Sequence, residues 1–169
     1  YTYSIIKFKF KTMNKIEVKY LQHKYWKVPL LTIFIDWEPL DNLLNKLSPG
    51  YDLSELISTL IKDWLTHENE FQVVWDRIYP KEKWSSIVPI LMCPDDLDFS
   101  CNLIVVSIQI KDQIVIWEKI GEDITKGREM NPNLVGQEVK WFDMINKFQF
   151  DLKEYLDCIN TFRFEDRNQ

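Results

Sequence analysis

Apolar positions fall along this chain in two periods, one near two residues and one near three and a half. Val28–Asp36 (VPLLTIFID) is β-rich and apolar on both faces, which predicts a central strand. Pro39 suits the first turn of a short helix with Leu40, Leu43, Leu44 and Leu47 on one stripe, and Ser48-Pro49-Gly50 ends it. Asp52 with Glu55 three residues on resembles a capping box. Leu53, Leu56, Ile57, Leu60, Ile61, Trp64 and Leu65 then repeat with helical spacing, so the clearest predicted helix covers 53–65.

Phe71–Ile78 alternates Phe71, Val73 and Trp75 against Gln72, Val74 and Asp76, which predicts a half-buried strand. Ile87–Met92 reads as an apolar strand ending at Cys93-Pro94. Leu103–Ile110 and Ile114–Ile120 flank Lys111-Asp112-Gln113, a hairpin with a three-residue loop. A glycine-bearing loop follows from Gly121 to Gly136. A last helix starts at Asp151 with Glu154 three residues on, and turns Leu152, Tyr155, Leu156, Ile159 and Phe162 inward. Strands and helices without strict βαβ alternation predict an α+β fold, a single domain with a mainly antiparallel sheet and about three amphipathic helices packed on it. Val73–Ile78 and Val115–Ile120 share a Trp-acid-base-Ile ending, a mark either of duplication or of two strands of similar burial.

The chain's 169 residues fit one domain, and 46% hydrophobic with 28% charged residues excludes a disordered or fibrous protein. Alanine is absent and Arg occurs four times against many Lys, Ile, Asn and Phe, a bias that points to a low-GC bacterial genome. Lys7, Lys9 and Lys11 interrupt the apolar start, so residues 1–12 are not expected to be a signal peptide. Met13 makes a natural start. Residues 1–12 are therefore read as upstream sequence or a flexible arm, and 13–169 as the globular domain. No run of 18 apolar residues predicts a membrane span, and Cys93, Cys101 and Cys158 are too few and too odd in number for a disulfide framework. Reduced thiols in a cytoplasm are the simpler expectation.

Charge is unevenly placed. Residues 1–35 carry seven Lys and one Glu, whereas the remainder carries 14 basic and 25 acidic side chains. An acidic body repels nucleic acid and attracts basic partners, or else simply keeps the protein soluble.

The most unusual segment is Val88-Pro-Ile-Leu-Met-Cys-Pro-Asp-Asp-Leu-Asp-Phe-Ser-Cys101. Its two cysteines lie eight apart with neither zinc spacing nor a nearby His, and no Gly-x5-Glu completes a calcium loop. A strand connection shaped by Pro94 and the aspartates is the plainer reading, so no metal and no cofactor are expected. Pro94-Asp95 with Gln109-Ile-Lys111 faintly resembles a metal-dependent nuclease motif, but an extended 103–110 would put Lys111 about 25 Å from the turn after Met92. His23 and His67 read as surface or capping residues, and no Gly-x-Ser-x-Gly, P-loop or dinucleotide motif occurs. No catalytic residue is assigned. Trp64, Trp75 and Trp117 read as core, while Trp37, Trp84 and Trp141 lie near element ends where one could anchor a partner.

The segment around Cys93–Cys101, Trp117-Glu-Lys-Ile-Gly121, and Val139-Lys-Trp-Phe142 ahead of the Phe150/Tyr155 helix resemble a group of small, uncharacterised bacterial proteins. The resemblance covers 71–162. Such proteins are similar to toxin-immunity proteins in size, acidity and lack of a catalytic motif. It implies a cytoplasmic, non-enzymatic binding protein neutralising a basic toxin. Asp95, Asp96 and Asp98 place three charges within four residues and are the expected contact with a basic partner, with Glu118, Glu122 and Asp123 as neighbours. Two alternatives stand beside it: a metal-binding protein or hydrolase centred on the Cys93–Cys101 acidic loop, and a homo-oligomeric structural protein pairing through a strand edge.

Overall fold

The computed structural model describes residues 13–164, so the expectation for residues 1–12 lies outside the described residues. Ile16–Leu21 (β1) was not foreseen. Lys15, Glu17 and Lys19 pair along its outer side (3.6 and 2.6 Å) and mask the alternation that buries Ile16 and packs Val18 on the core. β1 runs antiparallel to β2 (Leu30–Ile35), the expected strand, which is buried along nearly its whole length. Asp36 and Trp37, both at positive φ, turn the chain into β3 (Glu38–Pro39) and complete a three-stranded sheet. Helix α1 (Leu40–Leu47) follows as expected and seats Leu40 and Leu44 against this sheet.

Residues 53–65 do not form the predicted helix. Leu53, Leu56, Ile57, Leu60, Ile61 and Leu65 are all buried, but in an irregular path with Glu55 and Asp63 at positive φ. The segment's backbone finds partners elsewhere in the fold. Leu53 N–H donates to Asn45 Oδ1 (3.0 Å), Glu55 N–H to Asp41 Oδ2 (2.9 Å), and Thr59 N–H to the Ile90 carbonyl (3.2 Å). The Ile-Ser-Thr run at 57–59 favours extension over helix, and Ile57–Ser58 becomes β4.

The helix instead spans Glu68–Ile78 (α2), where a strand was expected. Glu68 and Glu70 in its first turn and Arg77 in its last suit the helix dipole. Glu70, Val73, Val74 and Ile78 supply a buried 3.6-residue stripe that packs on β5. Because 73–78 is helical and 115–120 extended, the likeness between the two segments is not a structural repeat.

The larger sheet runs β4–β5–β6–β7–β8, with β5 (Ser86–Met92), β6 (Leu103–Lys111), β7 (Ile114–Asp123) and β8 (Val139–Trp141), all antiparallel. The β6–β7 turn is two residues, not three, because Lys111 pairs with Ile114 and only Asp112 and Gln113 turn, both at positive φ. β9 (Phe148–Asp151), another strand not foreseen, pairs with the start of β7, so β8 and β9 lie end to end along one edge of it. Asn14 ties β9 to the small sheet, its N–H donating to the Gln149 carbonyl (2.7 Å) and its Oδ1 accepting from Gln149 N–H (3.0 Å).

Asp151 caps the last helix, α3 (Leu152–Phe164), through the N–H groups of Lys153 and Glu154 (2.9 and 3.1 Å). Tyr155, Cys158, Ile159 and Phe162 face inward, and Trp117, Phe150 and Tyr155 form the aromatic centre of the core. Tyr155 Oη donates to the Ile78 carbonyl (2.8 Å), joining α3 to the end of α2. The result is the expected α+β class, with three α-helices on antiparallel sheets among the described residues, although the second helix is a different segment from the one predicted.

Candidate functional site

Pairing between β4 and β5 creates the most distinctive surface. Ile57 sits opposite Met92, so the residues preceding 57 run beside those following 92 in antiparallel sense. Asp52, Ser54, Glu55 and Leu56 thereby meet Cys93, Pro94, Asp95 and Asn102 around an open cleft of about 410 Å³, with Tyr25 on its rim. Asp52 and Asp95 are exposed, Glu55 is partly exposed, and Tyr25 is 65% exposed. Lys24 reaches over the Tyr25 ring (5.2 Å), and its backbone N–H donates to Glu55 Oε2 (3.0 Å).

Behind Glu55 lies His23, only 5% exposed, whose Nε2 is 3.0 Å from Thr32 Oγ1 and whose Nδ1 is 3.7 Å from Glu55. His23 is thus an internal residue, not the surface or capping residue expected. His67 is exposed and occupies the N-cap position of α2. Burial pushes the neighbouring Asp41 carboxyl above its ordinary range, partly countered by the N–H groups of Asn42 and Glu55.

The six acidic residues singled out from the sequence separate. Asp95 and Asp96 project from the loop and are exposed. Asp98 turns back on its own backbone, accepting from Ser100 N–H (2.8 Å) and from the Ser100 hydroxyl. Glu118 stands beside Lys147 (3.8 Å) and Gln109 (3.4 Å), in a different depression with Trp141 and Phe142. Glu122 lies opposite Lys140 in the β7–β8 ladder. Asp123 leaves the surface set altogether. It is 1% exposed, accepts from Thr125 and Gly136 N–H (both 2.7 Å), and pairs with Arg128 (3.6 Å). The sequence reading missed Asp52, Glu55 and Tyr25: the β4–β5 register carries Asp52 and Glu55 to Asp95, and the Lys24–Glu55 hydrogen bond brings Tyr25 beside them.

Two internal groups fix the loop that carries Asp95 and Asp96. Arg128 donates to the carbonyls of Phe99 (2.7 Å), Cys101 (2.8 Å) and Asp123, closing the loop's far end onto the turn after β7. Glu70, 1% exposed, accepts from Phe99 N–H through Oε1 (3.0 Å), while Oε2 is buried without a partner among the described residues. Burial pushes the Glu70 carboxyl above the usual glutamate range, against the Phe99 N–H and His67, which favour its charged form.

Within the loop, Cys93 Sγ, Cys101 Sγ and an Asp96 oxygen all lie within 4.8 Å of one another, and both cysteines are free thiols. Burial first, and then the adjoining Cys93 side chain, pushes the Cys101 thiol up to about 11, with Asp96 acting in the same direction. A thiol whose protonated form is favoured is a poorer nucleophile than an ordinary cysteine.

Elsewhere on the molecule, Phe71, Trp75 and Tyr79 form an aromatic row along α2. They line a second groove of about 420 Å³, with Phe162, Lys62, Asp76 and Arg163. Trp75 and Trp64 are half-buried against the core and Trp117 is fully buried, while Trp37 and Trp84 are the most exposed of these tryptophans at 69% and 72%. No helix among the described residues is long and apolar enough to cross a membrane. Comparison with family models, curated proteins and solved structures finds no match to this chain.

Proposed function

We propose that this chain is a non-enzymatic, cytoplasmic binding protein that docks a basic protein partner in its acidic cleft, as a bacterial immunity protein covers the active site of a basic toxin. The observation that carries this reading is the convergence of Asp52, Glu55 and Asp95, from two distant segments, on one open cleft beside an exposed Tyr25. Carboxylates next to an aromatic ring suit an Arg or Lys side chain, which gains a charge-assisted contact and a ring face together. The loop is held by Arg128 and Glu70 before any partner arrives, so little ordering is required on binding. The excess of acidic residues beyond residue 35 adds attraction at longer range.

Zero-length carbodiimide cross-linking in a lysate of the producing cells tests this directly, since it joins carboxylates to lysines in contact. The expected product links Asp52, Glu55 or Asp95 to a lysine of a basic protein, and 0.5 M salt added beforehand suppresses it. Cross-links confined to other faces, or only between copies of this chain, would overturn the proposal.

A further inference from the structure

We propose that Cys93, Asp96 and Cys101 form a binding site for one zinc-class divalent cation. The three side chains are the only group of three or more potential His, Cys, Asp or Glu ligands found together among the described residues, and their ligand atoms lie within 4.8 Å of one another. Around a tetrahedral zinc ion with Zn–S near 2.3 Å, two sulfurs stand about 3.8 Å apart, so the ligands need close by only about 1 Å. Side-chain rotation can supply that while the backbone stays fixed.

The backbone is indeed held. Cys93 N–H donates to the Asn102 carbonyl (3.1 Å) at the end of the β5–β6 ladder, and the Cys101 carbonyl accepts from Arg128 (2.8 Å). Between them, Leu97 at positive φ accepts from Thr66 N–H (3.0 Å), and Phe99 N–H is taken by Glu70. Two sulfurs and one oxygen favour zinc over calcium or magnesium, which take six or more oxygen ligands. Three protein ligands leave a fourth position for water or a partner's side chain, and Cys93 also lines the acidic cleft.

Charge balances in the binding step. Each thiol gives its proton to solvent as its sulfur–metal bond forms, so two thiolates and the Asp96 carboxylate offset the cation to a net −1. Two protons leave as one divalent cation enters, so the net charge is unchanged and the cleft keeps its acidity. The metal would fix the cleft wall whatever the cleft binds.

The test titrates the reduced, full-length protein with Co²⁺ as a spectroscopic probe, then displaces it with Zn²⁺. The expected result is one equivalent of Co²⁺ with a near-ultraviolet sulfur-to-cobalt band, displaced by Zn²⁺ and untouched by excess Mg²⁺. C93S/C101S should lose the band, C158S should keep it, and D96N should keep it with weakened affinity. D96N alters an exposed side chain, and so decides the matter if the double serine variant does not fold. Absence of one-equivalent binding, or Co²⁺ affinity in D96N equal to that of the unaltered protein, would overturn the site. So would purified protein two daltons lighter, with Cys93 joined to Cys101 and no metal uptake after reduction.

Discussion

Replacing Glu70 probes how the acidic loop is held, because this one buried carboxyl links α2 to Phe99. Glu70→Ala removes the acceptor and leaves the buried Phe99 N–H unpaired, a loss of about 1–3 kcal/mol. For a domain of this size that corresponds to a fall in Tm of about 2–12 °C. Glu70→Gln keeps an acceptor oxygen and removes the charge, so its stability should stay within about 1 kcal/mol of the unaltered protein at pH 5. The two variants then differ with pH in a defined direction. Burial raises the folded-state pKa of Glu70, so the folded protein holds this proton to higher pH than the unfolded chain does. Stability from this group is therefore full below the ordinary glutamate pKa of about 4.3, and declines as pH rises toward the raised folded value. Glutamine has no such decline. The stability of Glu70→Gln relative to the unaltered protein should therefore increase from pH 4 upward and level off above the folded pKa. His67 favours the charged form of the Glu70 carboxyl and Asp98 opposes it, and the glutamine variant loses both effects. Urea unfolding at a series of pH values from 4 to 8 measures this. A Glu70→Ala protein as stable as the original, or a pH-independent difference for Glu70→Gln, would refute the reasoning.

Three further outcomes are expected. Arg128→Ala strips a partner from buried Asp123 and leaves the Phe99 and Cys101 carbonyls without this donor, so it should destabilise by about 3–5 kcal/mol in a thermal melt. Gly121→Ala places a Cβ 2.5 Å from the Lys140 carbonyl oxygen and 2.8 Å from Trp141 Cα, so β8 must shift. A loss of about 1–3 kcal/mol by urea unfolding is expected, with hydrogen exchange quickening first over Val139–Trp141. Gln113→Gly relieves a side chain at φ +62° in the two-residue β6–β7 turn and should raise stability by about 1 kcal/mol, read as a higher urea midpoint.

Where apolar runs were bounded by clear turn residues, the sequence was a good guide. The two apolar runs either side of Lys111-Asp112-Gln113 pair as the expected hairpin, and the α3 stripe from Tyr155 to Phe162 points inward as its spacing says. Legibility failed where the spacing of apolar residues did not match the backbone they adopt. Leu53–Leu65 carries a perfect helical repeat, yet its apolar residues are enclosed from several directions, and α1 side chains take its backbone N–H groups. Phe71–Ile78 alternates only because its aromatic row and its buried stripe occupy different sides of a helix. β1 and β9 were hidden by lysines and by shortness, respectively. The exposed acidic turn at Asp95–Asp96 was visible locally, whereas its partners Asp52 and Glu55 depend on a two-residue strand that periodicity cannot detect. Asp123 was misplaced because a buried ion pair and a surface charge look alike in sequence.

Once a cross-linked partner is identified, the most direct test of the acidic cleft is its association rate constant measured against ionic strength, for the unaltered protein and for D52K/D95K. The account predicts a rate that falls steeply with added salt for the unaltered protein. For D52K/D95K it predicts a slower low-salt rate with a flatter salt dependence, while the thermal midpoint hardly moves. Equal low-salt association rates for the two proteins would contradict the claim that this cleft receives a basic partner.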